Sequence, residues 1–286
     1  MNMVMESNEK WCEIFTAEQL KRLQQLEFRE LQVIKEVCNK LNIHFFLYGG
    51  TLLGAFKYQG FIPWDDDVDI ALMREDYETF IKEAPSLLPK DYVLQNLYVD
   101  SNSPYSYTKL RLKGTRCIEE YNHELDIEQG IYVDIYPVDN IPDDERLYKK
   151  QFAKIQRILF WIYIRQNYHR TKESGSLRQI VYYYIFHLLP AKYWMYKLKK
   201  EMTKFNKNDC QRKSCWHYPN SDNYYKPLLP LKKVMFEGDE FYAPNDMEFH
   251  LRRRYGNIEE LPPMEKRIGH YIYILDFGKF KINNPQ

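Results

Sequence analysis

A run of aspartates inside an apolar stretch constrains this chain more than any other feature. Asp65, Asp67 and Asp69 recur at the two-residue spacing of side chains on one face of a β-strand. Apolar residues dominate both flanks, at 61–64 and 70–72. Ionised groups within apolar sequence are rarely buried unless they are paired or bind metal. We therefore interpret the run as a functional strand in preference to a solvated acidic turn.

A further acid extends this pattern. Asp134 lies among alternating apolar and aromatic residues at 130–136, which predict a strand. Crowded carboxylates repel each other, and a divalent cation that prefers oxygen ligands offsets the repulsion. We expect Mg²⁺ or Mn²⁺ bound by Asp67, Asp69 and Asp134, with Asp65 as a further ligand or as a general base. Asp134 has an open alternative, an ion pair with a lysine or arginine.

A glycine pair upstream points to phosphate. Gly49, Gly50 and Thr51 separate an apolar run at 43–48 from a helix-like segment, and such a turn can bring backbone N–H groups up to a phosphate. A glycine pair by itself more often marks an ordinary turn. The prediction therefore depends on the aspartates that follow.

Two basic residues share one face of a strand predicted at 107–112. Lys109 and Arg111 have the chemistry to hold phosphate oxygens, lysine as a point charge and arginine through a two-pronged contact. The alternative for both is pairing with structural acids, and the sequence leaves it open.

Other segments predict scaffold and surface. A capping box at 16–19 opens a helix expected to reach residue 42, and a short helix is expected at 74–84. The stretch 143–207 is helical, aromatic and basic. Tyrosine, tryptophan and lysine beside the apolar segment 181–189 favour either contact with an anionic membrane surface or a helical core with a solvated basic rim.

Charge and composition limit the partners. Lys and Arg number 41 against 40 for Asp and Glu, so no global field draws the chain to nucleic acid. The amino terminus lacks the apolar core of a secretory signal, and we expect a cytoplasmic protein. Cys210, Cys215 and His217 are part of a zinc-knuckle pattern without an apparent fourth ligand, which favours ordinary thiols.

The motifs together resemble a known family. The segments YGGTLLGA at 48–55, GFIPWDDDVDI at 60–70 and REDY at 74–77 resemble the LicD family. That family includes bacterial phosphorylcholine transferases and is related to the fukutin-type ribitol-phosphate transferases. Later positions that look like its landmarks are Lys109, Arg111, Asp134, Tyr255, Gly256, Arg267 and His270.

The resemblance implies an α+β fold, with a nucleotidyltransferase-like mixed β-sheet flanked by helices and an added helical, basic, aromatic-rich region. It implies a catalytic core with an amino-terminal helix at 1–142, a helical insertion at 143–215, and a part completing the catalytic domain at 216–286.

The resemblance also implies a reaction. A phosphorylcholine or alditol-phosphate group would pass from a CDP-linked donor to a hydroxyl of a glycan or lipid-linked glycan, of the lipopolysaccharide or teichoic-acid kind, with release of CMP. Arg267 and His270 become candidates for the donor pocket by resemblance alone. The alternative is a nucleotidyltransferase that attaches NMP to a small molecule or protein and releases pyrophosphate.

Overall fold

The computed structural model describes residues 15–119, 122–166, 177–216, 223–267, 269–270 and 272–280. The helices in these ranges are α1 (Ala17–Leu41), α2 (Gly49–Tyr58), α3 (Arg74–Glu83), α4 (Glu145–Arg165), α5 (Leu177–His187), α6 (Ala191–Met202), α7 (Tyr225–Leu228) and α8 (Met247–Tyr255). The strands are β1 (Phe45–Leu47), β2 (Asp69–Met73), β3 (Tyr92–Gln95), β4 (Thr108–Leu112), β5 (Arg116–Glu119), β6 (Ile131–Ile141), β7 (Arg212–Ser214), β8 (Asn223–Tyr224), β9 (Lys232–Phe236), β10 (Asp239–Ala243) and β11 (Ile272–Asp276).

Helix α1 is fixed at both ends by its own sequence. The Thr16 hydroxyl accepts a hydrogen bond from the Gln19 N–H at 3.1 Å, and the Gln19 side chain accepts one from the Thr16 N–H at 2.9 Å. This reciprocal pair is the predicted capping box. Asn42 ends the helix in the left-handed conformation, so the predicted helix is confirmed. The helix predicted at 74–84 is confirmed as α3.

The central sheet is mixed, which confirms the α+β class. Its strand order is β1-β2-β6-β4-β3, with β7 paired to the far end of β6 and β8 paired to β7. Strands β2 and β6 are parallel, whereas the other pairings in the sheet are antiparallel. Separate two-stranded pairings join β9 to β10 and β5 to β11.

Alternating side chains divide the core between the two faces of the sheet. Ile70 and Ile135 belong to the cluster that packs under α1, whereas Ala71 and Tyr136 belong to a cluster on the opposite face. Helices α4, α5 and α6 bury their apolar faces in a further cluster. The domain boundaries at 142 and 215 stay predictions.

The structure corrects the extent of two predicted strands. Strand β2 begins only at Asp69, and upstream of it lies a turn in which the Asp65 N–H donates to the Ile62 carbonyl at 2.9 Å. Strand β6 runs on to Ile141, since its far end gains β7 as a partner.

Two expectations concern the surface and the cysteines. In the ranges described, no helix is both long and apolar enough to cross a bilayer. Cys210 carries a free thiol, Cys215 is buried, and His217 lies outside the described residues.

Candidate active site

Three charged side chains occupy paired positions on neighbouring strands. Asp69 of β2 is in register with Asp134 of β6, and Asp134 is in register with Lys109 of β4. Paired positions of adjacent strands present their side chains on the same face of the sheet. We call these three residues the charged row. The structure thus brings together Asp69 and Asp134, as expected from the sequence.

The Gly-Gly-Thr motif holds the start of β2 in place. The Tyr48 N–H donates to the Asp69 carbonyl at 3.0 Å, and the Thr51 hydroxyl accepts from the Asp69 N–H at 2.8 Å. Thr51 is 1% exposed. Its observed partner is therefore the backbone of a catalytic candidate, and the predicted phosphate contact stays a prediction.

The two glycines make room for carboxylates. Gly49 has a φ of +57°, and a Cβ there would lie 2.1 Å from Asp69 Oδ2. A Cβ on Gly50 would lie 2.8 Å from Asp65 Oδ2. Glycine at these positions lets two acids approach the amino-terminal end of α2, where the helix dipole favours negative charge.

Asp65, Asp66 and Asp67 reach the site from the segment before β2, and not from the strand itself. Besides burial, the charges of Asp67 and Asp65 raise the pKa of Asp69, so these acids act on the same site. Asp66 has a different partner: its carboxylate accepts hydrogen bonds from the His270 N–H at 2.8 and 3.0 Å.

Burial and mutual repulsion perturb the carboxylates. Burial raises the pKa of Asp69 well above its ordinary range, and the charges of Asp67 and Asp134 add to the effect. Burial likewise raises the pKa of Asp65, Asp134 and Asp67, to about 6 for Asp67. Desolvated acids that face each other are costly to ionise together.

His270 supplies a counter-charge at the edge of the site. Its Nδ1 lies 2.9 Å from Asp66 Oδ1, and its Nε2 lies 3.8 Å from Asp67 Oδ2. The hydrogen bond to Asp66 raises the pKa of His270 to about 10, although burial opposes this, and the charge of Asp67 adds to it. The raised pKa favours the protonated imidazole, so His270 serves here as a counter-charge to Asp66 and Asp67.

Lys109 is enclosed between acids and tyrosines. Its Nζ lies 2.9 Å from Asp134 Oδ1 and 3.8 Å from Glu119 Oε2. The same ammonium lies 3.4 Å from the centroid of the Tyr132 ring, and the Tyr136 hydroxyl donates to Asp134 Oδ2 at 3.2 Å. The ion pair that the sequence left open for Asp134 is therefore present.

Arg111 lies in the interior with no exposed surface. Its Nε donates to Gln95 Oε1 at 3.0 Å, and its NH1 donates to the Gly130 carbonyl at 2.7 Å. These bonds tie β4 to β3 and to the start of β6. In this structure the guanidinium supports the sheet and does not reach solvent, and its predicted phosphate contact stays a prediction.

Arg267 lies beside the aromatic residue that precedes the acidic run. Its guanidinium carbon is 5.3 Å from the Trp64 ring centroid, and its Nε donates to the Pro262 carbonyl at 2.8 Å. The structure thus places the carboxyl-terminal segment of Arg267 and His270 against residues 64–67.

Arg254 is a site residue that the sequence reasoning did not single out. It lies near the end of α8, 5.0 Å from the Tyr48 ring centroid, measured from the guanidinium carbon. Its charge lowers the pKa of Asp69, against the larger effects of burial and of the neighbouring acids. The signal was the run of arginines at 252–254.

Glu27 is a second residue missed by the sequence reasoning. It lies four residues after Leu23 and seven before Ile34, on the same face of α1, and it is 1% exposed. Burial, with the charges of Asp67 and Asp66, raises its pKa well above the ordinary range. An acid inside an apolar stripe was the available signal.

The donor set fits a hard divalent cation. Asp65 Oδ2 and Asp69 Oδ1 are buried and accept no hydrogen bond from the described part of the chain. Buried polar atoms of this kind call for a partner, and carboxylate oxygen is the ligand that Mg²⁺ prefers. Asp65 and Asp69 therefore have the chemistry to bind such an ion.

The distances between the acidic side chains bear on which of them could bind one cation together. Within the described ranges, ligand atoms of Asp66, Asp67 and His270 lie within 4.8 Å of one another, and there the histidine lies in ion-pair distance of both acids. The predicted trio of Asp67, Asp69 and Asp134 is not gathered that tightly. Its joint role as a ligand set stays a prediction.

Comparison with known families identifies the class. Residues 42–192 match the family model described as LicD/FKTN/FKRP, nucleotidyltransferase domain. The match covers more than half of the 286 residues, so the chain belongs to the LicD family and is a transferase. The resemblance inferred from the sequence is confirmed.

Individual relatives support this assignment. The chain is 26% identical over 275 residues to the lipopolysaccharide cholinephosphotransferase LicD of Haemophilus influenzae, a match that covers 88% of this chain and 100% of that protein. It is 31% identical over 127 residues to an uncharacterized protein of Rickettsia typhi, which covers 42% of this chain and 37% of the relative. An uncharacterized protein of Rickettsia prowazekii is 54% identical over 41 residues, 14% of this chain and 15% of that protein.

Proposed function

We propose that this protein is a magnesium-dependent phosphotransferase that moves phosphorylcholine from CDP-choline to a hydroxyl of a cell-surface glycan and releases CMP. The observation that carries the proposal is the register of Asp69 with Asp134, beside buried carboxylate oxygens suited to a cation. The name of the Haemophilus relative, aligned over its whole length, supports the choice of group transferred. A CDP-linked alditol is the second donor, and Mn²⁺ is the alternative metal.

The charged residues of the site would have different electrostatic roles. Asp67, Asp69 and Asp134 would hold the metal, which supplies positive charge to the donor diphosphate when bound. Lys109 orients Asp134 and favours its ionised form. Arg254 contributes a fixed positive charge beside Asp69 that suits phosphate oxygens.

The carboxyl-terminal segment completes the site. His270 connects this segment to the acidic run through Asp66, so the donor pocket would form between them, with Arg267 at its edge. Asp65 is proposed as a further ligand or as the base for the acceptor hydroxyl. Gly49, Gly50 and the residues of the charged row would belong to a nucleotidyltransferase-like fold.

The acceptor and the place of reaction are part of the same proposal. The acceptor is a glycan or a lipid-linked glycan, of the lipopolysaccharide or teichoic-acid kind. The enzyme would work in the cytoplasm, at the inner face of the membrane where a lipid-linked acceptor is presented.

Product analysis tests the reaction class. The protein is incubated with Mg²⁺ and labelled CDP-choline, CDP-ribitol or nucleoside triphosphates, and the products are separated. CMP from a CDP-linked compound supports the proposal, whereas pyrophosphate from a triphosphate supports the nucleotidyltransferase alternative. Asp69→Asn should abolish product, while Asp209→Asn, at an exposed acid, serves as the matched control.

A thermal-shift screen identifies the donor group. A compound that binds only the folded protein raises its melting temperature. CDP-choline should give a Mg²⁺-dependent shift larger than that of CMP. A shift for CDP-ribitol alone would move the assignment to alditol-phosphate transfer.

A further inference from the structure

We propose that α5 and α6 dock this protein on an anionic lipid surface. Helix α5 carries a line of large apolar side chains that face solvent. The residues of this apolar stripe, with their exposed fractions, are Leu177 (79%), Val181 (47%), Tyr184 (66%), Ile185 (46%) and Leu188 (81%), the last just beyond the helix end. At 3.6 residues per turn they fall within a sector of about 100°.

The opposite side of α5 is already used by the protein. Phe186 is 8% exposed and packs in the cluster formed by α4, α5 and α6. Its ring lies 5.2 Å from that of Trp161 and 5.2 Å from that of Trp194, between centroids. The apolar stripe is therefore a second apolar face, and it has no role in this core.

Helix α6, which follows α5 in the chain, carries positive charge. Its exposed positions carry lysines and tyrosines, whereas Trp194 and Leu198 face the core. The exposed residues are Lys192, Tyr193, Tyr196, Lys197 and Lys200. No aspartate or glutamate occurs anywhere in 177–200.

The chemistry of this surface selects its partner. Soluble proteins rarely expose a contiguous apolar patch of this kind without a function. Apolar residues that insert between headgroups, tyrosines at their level and lysines without acids are the features of a helix that lies in a membrane interface. The absence of acids makes the surface complementary to anionic headgroups, and no described helix is suited to cross the bilayer.

This docking extends the proposed function and rests on it for its purpose, because a lipid-linked acceptor would be presented at a lipid surface. The binding itself needs neither donor nor acceptor. Vesicle binding with failed CMP release would overturn only the reaction, and CMP release without vesicle binding would overturn only the docking.

The test is co-sedimentation of the full chain with vesicles. Phosphatidylcholine vesicles with phosphatidylglycerol should retain the protein at low salt and release it at high salt, because screening weakens attraction to the anionic surface. Vesicles of phosphatidylcholine alone should retain much less. Asp69→Asn should bind as the wild type does, which separates docking from the active site.

Two variants address the two components of the surface. Leu177→Gln with Leu188→Gln should weaken vesicle binding by at least about tenfold. Lys192→Gln, Lys197→Gln and Lys200→Gln together should weaken it by about 100-fold at low salt.

Each variant has a matched control on another part of the surface. Met235→Gln with Leu147→Gln replaces two exposed apolar residues, on β9 and α4. Lys21→Gln, Lys40→Gln and Lys90→Gln together replace three exposed lysines. Both controls should bind vesicles as the wild type does.

Three results would overturn the proposal. They are no binding to anionic vesicles at low salt, equal loss in the variants and their controls, and light scattering that shows a dimer converted to a monomer by Leu177→Gln with Leu188→Gln. The last would mean that the apolar stripe is covered by a second copy of the chain.

Discussion

Lys109 and Asp134 lie opposite each other on β4 and β6, with the ammonium 2.9 Å from a carboxylate oxygen. The same ammonium lies 3.4 Å from the centroid of the Tyr132 ring and 4.9 Å from that of Tyr105. An aromatic enclosure of this kind suits a quaternary ammonium, but here it holds the protein's own lysine. The proposed choline group must therefore find its aromatic partners elsewhere.

Removing the ammonium of Lys109 should lower the stability of the protein, because Asp134 stays buried. Lys109→Met is expected to lower the free energy of unfolding by about 3 to 5 kcal/mol, since it leaves Asp134 buried without its cation. Adding Asp134→Asn should restore most of the loss without restoring turnover. Urea unfolding of the two single variants and the double variant measures the coupling, and additive losses would contradict the assigned pair.

Neutralising an acid of the charged row should separate activity from stability. Because burial and the neighbouring acids raise its pKa in the folded protein, Asp69 lowers the free energy of unfolding at pH values above the ordinary pKa of an aspartate. Asp69→Asn should keep or increase the free energy of unfolding while turnover falls at least about 100-fold. Turnover at the wild-type level with Mg²⁺ would remove this residue from the site.

Metal binding should be visible without turnover. Mg²⁺ is expected to raise the melting temperature of the chelator-treated wild-type protein, because it relieves repulsion among buried carboxylates. The shift should disappear in Asp69→Asn and persist in Asp209→Asn. Chelation should also abolish CMP release, and added Mg²⁺ should restore it. Equal shifts in both variants would place the ion away from the charged row.

The glycine next to Asp69 offers a matched pair of substitutions. Gly49→Ala introduces a Cβ 2.1 Å from Asp69 Oδ2 at a φ of +57°. Gly114→Ala has a similar backbone cost at a φ of +78°, but open space around its Cβ. Both should lose about 1 kcal/mol through the backbone, and only Gly49→Ala should also lose turnover. Similar turnover in the two variants would contradict the close approach of Asp69.

A buried histidine should make the free energy of unfolding fall at acidic pH. Burial, with the charges of Arg254 and Arg253, lowers the pKa of His250 from 6.5 to about 4 in the folded protein. The unfolded chain therefore binds the proton first, and the free energy of unfolding should fall between about pH 6.5 and pH 4, by up to about 3 kcal/mol from this group.

His250→Gln should lack this component. Urea unfolding of the wild type and of His250→Gln across that range measures the difference in their free energies of unfolding. The contributions of the other titrating groups cancel because both proteins contain them. A difference that stays constant from pH 8 to pH 4 would contradict the prediction. The comparison uses the metal-free protein, so that it does not depend on the proposed cation.

Local patterns were readable because each depends on a few neighbouring residues. The capping box of Thr16, the helix after Gly49 and the alternation around Asp134 follow from backbone geometry and side-chain period alone. The aspartates at 65–69 likewise predicted a functional site from local sequence, because charges crowded within apolar sequence need a counter-charge.

Only the tertiary structure decided which charges meet. Strand register sets Lys109 opposite Asp134, and chain folding brings His270 to Asp66 across 204 positions. Chain folding also lets the charge of Arg254 act on Asp69. Such pairings depend on long-range packing that no local period encodes. The sequence therefore determined which residues carry the chemistry, whereas the sheet determined their partners and hence which acids are held by the protein's own cations.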